Sequence, residues 1–418
     1  MSLPYALLAC LAAAAALSAH AQDNSGVALD LDETGRLALE HQPLLDAQSD
    51  RIRAARDSAV ASGQLPDPVL AGGLTDLTVT GSDRFTLRDE TDTQLMIGIR
   101  QQFPGGDKRR LRSLRGERDT ERQEAELVEQ RRMIRREAGL AWLDVWKAVE
   151  AQSIVKASER EAQQQREALD IAYRSGRGQQ ADLLASQVSL ELLADQRLGL
   201  EQEEWHARNE LRRWIGDDAD RLICPDLPAL AAPDLPALLA QLEHHPHVAA
   251  QARAVEVAQA DLDLAKQDYK PDWSVQLGYG HRPAFADYAS LTFEIGLPFF
   301  TRDRQDRGVS ARVAELDAAD QMKQDWLRQH RAAIQLNADD WRRLEQRIAR
   351  YDDVILPQAS RRSESALASY GAGSGSLLSI LDARRSLQDI RMQRLELLVD
   401  LARHQVNLQY FAPEGSPS

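Results

Sequence analysis

Cysteine is almost missing from this chain of 418 residues; Cys10 and Cys224 are the only two. Cys10 lies in an N-terminal leader, so the mature chain keeps one thiol and forms no intrachain disulfide. Its stability must come from packing and assembly. Aromatic residues are scarce, at 5%, as they are in long helices and coiled coils. Positive charge is outnumbered, 51 Lys and Arg against 65 Asp and Glu, a net of −14. That balance argues against a nucleic-acid partner. No run of about twenty apolar residues occurs beyond the N-terminus, so no transmembrane helix is expected. Enzyme signatures are missing too: there is no His-Glu-x-x-His, no Gly-x-Ser-x-Gly and no Walker loop. The glycines from Gly371 to Gly375 follow no strand and precede no Lys, so they do not form a phosphate loop. No catalytic residue and no cofactor is expected.

The N-terminus has the form of a secretory signal. Leu7 to Leu17 is an apolar core, and Ala19-His20-Ala21 is a small-x-small cleavage site, giving a signal peptide over 1–21. Leu7-Leu8-Ala9-Cys10 also resembles a lipobox, so lipidation of Cys10 stays open. The core before that Cys is short and continues past it.

What the chain does contain, it contains twice. Tyr173-Arg174-Ser175-Gly176-Arg177-Gly178 and Tyr370-Gly371-Ala372-Gly373-Ser374-Gly375 are each a Tyr, two residues and a spaced Gly pair. Each follows a long helical pattern and precedes a shorter one. A Gly pair between helical runs stops and reverses the chain. Each copy therefore predicts the tip of a helical hairpin whose first arm is about 100 Å long. A repeated order of elements predicts one fold made of two similar halves, 22–215 and 237–411. A proline-rich acidic linker, 216–236, joins them, and 412–418 has the composition of a disordered tail.

Within each half, a helix expected over about Asp30–Ser62 or up to about Tyr269 precedes a Pro-Asp step, Pro66-Asp67 or Pro271-Asp272. Strand patterns follow. Trp273, Val275, Leu277 and Tyr279 alternate with Ser274, Gln276, Gly278 and Gly280. Leu291, Phe293, Ile295 and Leu297 alternate with Ser290, Thr292, Glu294 and Gly296, and Leu95, Ile97 and Ile99 with Gln94, Met96, Gly98 and Arg100. The pattern over Val69 to Thr80 is weaker. Period-two alternation fits a half-buried soluble sheet and equally an outer-membrane barrel. Four strands cannot close a barrel, and an open edge cannot sit in lipid. If these strands enter a membrane, several chains must share one barrel.

The long helices carry heptad seams: Ile134, Ala138, Ala141, Val145, Ala148 and Val155 in the first, and Trp341, Leu344, Ile348, Tyr351 and Ile355 in the second. Pro357 falls inside the second and predicts a kink there; the first has no counterpart. His244-His245-Pro246-His247 is expected to be a helix-start junction, matching Glu40-His41-Gln42-Pro43 in the first half, since its spacing presents no helical ligand pair. Trp142 and Trp146 share a helix face and are expected to pack. No metal site is expected.

The paired tips, the strand exits Gln101-Gln102-Phe103-Pro104 and Leu297-Pro298-Phe299-Phe300, and Leu381-Asp382-Ala383 occur in an order that resembles the TolC-type outer-membrane efflux channels. Gln64-Leu65-Pro66-Asp67-Pro68, the polar stretch through Gly81, and Met96 to Pro104 followed by Lys108-Arg109 resemble the heavy-metal cation branch. The resemblance implies a mainly α fold of coiled-coil hairpins forming an α-barrel, with four transmembrane strands per chain completing a twelve-stranded barrel as a homotrimer. It implies an outer-membrane location with a long periplasmic extension, outer-membrane lipid as surroundings, and two partners: a periplasmic adaptor protein and an inner-membrane pump, proton-driven. The cargo implied is heavy-metal cations, with drug efflux or type I secretion as alternatives of the same fold. A periplasmic coiled-coil adaptor is the alternative of a different class. By residue matching, Asp182 takes the place of the family's gate aspartate and Tyr370 that of its tyrosine partner. Asp382 takes one position of the acidic constriction ring, where the companion position here is Ser379. Tyr173, Gly176, Gly178, Gly373 and Gly375 take the adaptor-docking tips.

Overall fold

The computed structural model describes residues 28–412 apart from 41, 82, 83, 86–92, 229 and 284. The signal peptide, Cys10, His41, most of the polar loop before Gln94, and the tail from 413 lie outside the described residues. Chain contacts divide the protein into two units. A hairpin unit holds the chain up to Gln42, Arg132–Leu238 and the chain from Ile334; a sheet unit holds Pro43–Arg131 and Leu239–Ala333.

The described elements run, in order, α1 (Leu31–Leu37), α2 (Pro43–Ser62), β1 (Val69–Thr75), β2 (Gln94–Phe103), α3 (Lys108–Arg174), α4 (Gln180–Ile215), α5 (Leu235–Gln241), α6 (Pro246–Ala265), β3 (Trp273–His281), β4 (Tyr288–Ile295), α7 (Gln305–Arg350), α8 (Leu356–Gly371) and α9 (Leu377–Gln409). Short 3₁₀ turns follow α4, α5 and α6, and a π turn, Tyr351–Ile355, separates α7 from α8. The fold is mostly helical with one small sheet.

The sheet is an antiparallel meander in the order β1-β2-β3-β4. Its central pairing joins strands far apart in sequence: Gly98 faces Gly278 and Ile99 faces Leu277. The register puts Leu70, Leu95, Ile97, Ile99, Leu277, Tyr279, Leu291 and Phe293 on one face, and Arg100, Gln102, Gln276, Thr292 and Glu294 on the other. The apolar face is the exposed one, with Leu277 at 56% and Phe293 at 69%. The alternation thus does not bury its apolar half within the chain. β1 is shorter than its sequence pattern. It ends where Asp76 takes a positive φ of 59°, a conformation a β-strand cannot continue through. β4 starts earlier, at Tyr288, and ends at Ile295.

At the β2–α3 corner the side chain of Lys108 is nearly buried. Its ammonium donates to Asp272 at 2.8 Å and to the Lys270 carbonyl at 3.3 Å. Asp272 also accepts the Gly105 amide at 2.6 Å. This clasp ties the exit of β2 to the entry of β3. In the same unit His245 caps α6: its Nδ1 accepts the His247 amide at 3.2 Å. Trp326 stacks on both His245 and His247 and packs on His330. The histidine run therefore works as a helix start against an aromatic wall.

In the hairpin unit the α3 seam residues from Ile134 to Val155 are all buried, as are Trp341, Leu344 and Ile348. The latter three pack on Leu397 and Leu401 of α9. Trp142 and Trp146 are buried and donate their indole N–H groups to the carbonyls of Leu29 and Pro225, both at 3.0 Å. Leu29 forms a parallel bridge with Ile223. The two indoles thus pin two otherwise irregular segments to α3 and satisfy buried polar groups as they do so.

Candidate gate at the hairpin tips

Both tips solve the same geometric problem with the same atoms. In the first, the Gly176 amide bonds the Tyr173 carbonyl, and the amides of Arg177 and Gly178 both bond the Ala172 carbonyl. In the second, the Gly373 amide bonds the Tyr370 carbonyl, and the amides of Ser374 and Gly375 both bond the Ser369 carbonyl. These bonds satisfy carbonyls that the ending helices leave without partners. Gly176 and Gly373 have φ of +72° and +73°, where a Cβ is strained. Gly178 and Gly375 are needed for a different reason: a Cβ at either would lie 2.9 Å from the backbone nitrogen of its Tyr. The restart differs. The Ser376 hydroxyl caps α9 by accepting the Ser379 amide, whereas Gln179 gives α4 no side-chain cap.

The tips share a small core. Leu169, Leu377 and Ile380 are buried together, with Leu183, Ala185, Ala366 and Tyr370 packed against them. Residues of both hairpins therefore meet there. At its edge the Tyr370 hydroxyl donates to Asp182 at 3.3 Å. Partial burial, then the charge of Asp182 and this hydrogen bond, push the Tyr370 hydroxyl above the usual phenol range. So the structure brings Asp182 and Tyr370 together within one chain. Tyr173 is exposed and does not belong to that core. Asp382 is exposed, and the Arg362 guanidinium of α8 pairs with it.

Two further links between the hairpins carried no sequence signal. Arg384 of α9 donates to the Glu161 carbonyl at 3.1 Å and to the Gln165 side chain at 2.6 Å, both on α3. Gln388 of α9 donates to Gln196 of α4 at 2.7 Å. Sequence pattern identifies Gln388 only as a polar residue on a helix, yet it is buried. Behind the second tip, the π turn interrupts the helix just before Pro357. Tyr351 there donates to Gln393 at 3.0 Å, and Arg394 pairs with Asp352. The expected disturbance at Pro357 thus takes the form of a π turn, which absorbs the clash and the missing amide that proline brings.

Among the described residues, no group of three or more His, Cys, Asp or Glu side chains could hold a metal ion. No helix among them is long and apolar enough to cross a membrane.

No family model matches the chain. No curated protein matches it either. Solved structures do. The chain is similar to the CmeC outer membrane channel of Campylobacter jejuni, at 14% identity and a TM-score of 0.75, covering 91% of this chain and 85% of that one. It is similar to the outer membrane protein VceC of Vibrio cholerae, at 21% identity and a TM-score of 0.71, covering 91% and 94%. It is also similar to CusC, described as undergoing conformational changes that accompany folding and transmembrane channel formation, at 18% identity and a TM-score of 0.70, covering 92% of each chain. Over nine-tenths of its length, this chain has the fold of these outer-membrane channels.

Proposed function

We propose that the protein is a trimeric outer-membrane channel of a tripartite efflux system, passive in itself and not an enzyme. The observation that carries this is the sheet. Its apolar face is exposed and its outer strands, β1 and β4, have no further strand partner among the described residues. A soluble protein does not leave such a face and such edges open. In lipid the face is satisfied, and the edges are satisfied by joining β4 of one copy to β1 of the next. Three copies then give twelve strands, an ordinary barrel size. The same observation disfavours a soluble coiled-coil adaptor. Under this reading 1–21 is the export signal, the two halves arise by duplication, and the hairpins extend into the periplasm.

The tips around Tyr173, Gly176, Gly178, Gly373 and Gly375 then dock a periplasmic adaptor, which links the channel to a proton-driven inner-membrane pump. Asp182 and Tyr370 hold the hairpins together in the closed state. Three copies of Asp382 form an acidic ring that favours cations, and Arg362 neutralises it while the channel is closed. The π turn makes the second hairpin the one that bends.

Heavy-metal cations are the proposed cargo, on the sequence resemblance of Gln64–Pro68 and Met96–Pro104. Two experiments test the two levels. In a planar bilayer, the purified protein is expected to give a low-conductance closed state that Asp182→Ala makes leaky; unchanged closure would remove the gate. Elemental analysis of a deletion strain is expected to show accumulation of one or two of copper, zinc, cobalt, nickel and cadmium. Unchanged metal content with new sensitivity to dyes or detergents would move the cargo to drug-like molecules.

A further inference from the structure

Below β4 the chain continues Gly296-Leu297-Pro298-Phe299-Phe300 before it reaches α7. Phe299 is 77% exposed and Phe300 85%. Two adjacent phenyl rings in water are unfavourable, and among the described residues nothing in the sheet unit covers them. The two residues before them, Leu297 and Pro298, line an open cavity of about 580 Å³ with Lys108, Asp268, Lys270, Asp272 and Arg304. Lys108 is already engaged with Asp272 at 2.8 Å and with Asp268 at 3.7 Å. Lys270 and Arg304 have no ion pair among the described residues, and both are exposed. Arg302 and Arg307, close by in sequence, are exposed as well.

Along one short stretch, then, an apolar sheet face gives way to aromatic rings and the rings give way to exposed charges, Arg302, Asp303, Arg304, Asp306 and Arg307, with cations in the majority. Trp273, stacked on Phe103 at 4.2 Å, lies at the same end of the sheet. That is the polarity profile of a glycerophospholipid: acyl chain, ester region, phosphate. Aromatic side chains favour the middle layer of that profile, and exposed Lys and Arg attract anionic headgroups just outside it.

We propose that this cavity binds the phosphate headgroup of an anionic glycerophospholipid between Lys270 and Arg304, with Phe299 and Phe300 in its acyl region. The site rests on the reading of the sheet as membrane-embedded and adds to it a lipid selectivity. The guanidinium of Arg304 and the ammonium of Lys270 suit a phosphodiester, and the flanking rings would have no role around a free anion. A bound lipid would anchor the foot of the barrel, where β4 ends and α7 begins.

The test uses the assembled full-length chain in phosphatidylethanolamine vesicles containing a minority of phosphatidylglycerol. Either lipid in turn carries brominated acyl chains. Quenching that disappears in Trp273→Phe is assigned to Trp273. Brominated phosphatidylglycerol is expected to quench Trp273 more strongly per mole, by about fivefold for each surface cation that contributes. In K270Q/R304Q the preference should vanish, with the oligomer and helical content unchanged. Added inorganic phosphate should leave the quenching as it was.

Equal quenching by the two lipids, or an undiminished preference in the double variant, would overturn the proposal. So would displacement by inorganic phosphate, which would make the ligand a free anion. Dissociation of the oligomer in the double variant would assign the cavity to a neighbouring copy instead. Failure of both lipids to quench Trp273 would instead remove the membrane reading of the sheet.

Discussion

The two hairpins share one way of turning and differ in how their arms are built. At the tips, three backbone hydrogen bonds, one positive-φ glycine and one close-approach glycine recur atom for atom. In the arms, α3 runs unbroken for 67 residues, whereas the equivalent arm is α7, a five-residue π turn and α8 with Pro357 at its start. The reversal is thus fixed by local chemistry that admits one solution. The arm is free to vary, and in the second hairpin a π turn interrupts it. Tyr351–Gln393 and Asp352–Arg394 tie that place to α9.

The largest expected effect tests whether the hairpins share a core at their tips. Ile380→Ala deletes a fully buried side chain and should cost about 2–5 kcal/mol. Leu169→Ala, on the other hairpin but in the same cluster, should cost a similar amount in chemical denaturation. If only one variant is destabilised, the tips are packed independently. Next come the glycines. Gly178→Ala and Gly375→Ala each push a methyl against the backbone, which should cost about 1–3 kcal/mol. The two costs should agree, because the geometries agree; a clear inequality, measured by the same unfolding assay, would break the likeness of the tips.

The arms are compared through Pro357. A proline in a regular helix costs about 3 kcal/mol relative to Ala, and the π turn already relieves part of that. Pro357→Ala should therefore gain less than about 3 kcal/mol and slow hydrogen exchange of the amides around 351–357. The matching stretch of α3 should be well protected from the start. Equal protection of both arms in the unmodified protein would remove the claim that the second bends more readily.

These expectations also show what sequence could supply. Gly-x-Gly after Tyr, the Pro-Asp steps and the period-two strands are local signals, and the tips and the sheet follow from them. The strand limits were less legible: Asp76 ends β1 through its own backbone angle, which polar composition does not announce. Partner choice was not legible at all. Nothing in the spacing of Arg362, Arg384 or Gln388 tells which helix each will reach, because that depends on how separate helices are placed. Trp326 is the same case, a lone aromatic in a charged helix that becomes the wall behind three histidines. Pro357 was legible as a disturbance, but the extra backbone residue that turns a kink into a π turn is a choice of the packed structure.

The smallest effect concerns the bond between the hairpins. Removing the Tyr370–Asp182 hydrogen bond with Tyr370→Phe should cost about 1 kcal/mol. Its pH dependence has a definite sign. The folded state raises the Tyr370 pKa, so the contribution is complete below the phenol's ordinary value of about 10. It is lost as pH rises through the higher folded value. Leak conductance should increase in that alkaline window in the unmodified protein, and the increase should be absent in Tyr370→Phe. A pH response unchanged by that substitution would detach it from the tip contact.

The central claim is that three copies close one barrel in the outer membrane. Its most direct measurement is a denaturing gel of the outer-membrane fraction, run with and without heating, from cells making the full chain. The account predicts a heat-sensitive trimer that collapses to monomer on boiling. A monomer recovered in the soluble periplasmic fraction, with or without heating, would contradict it.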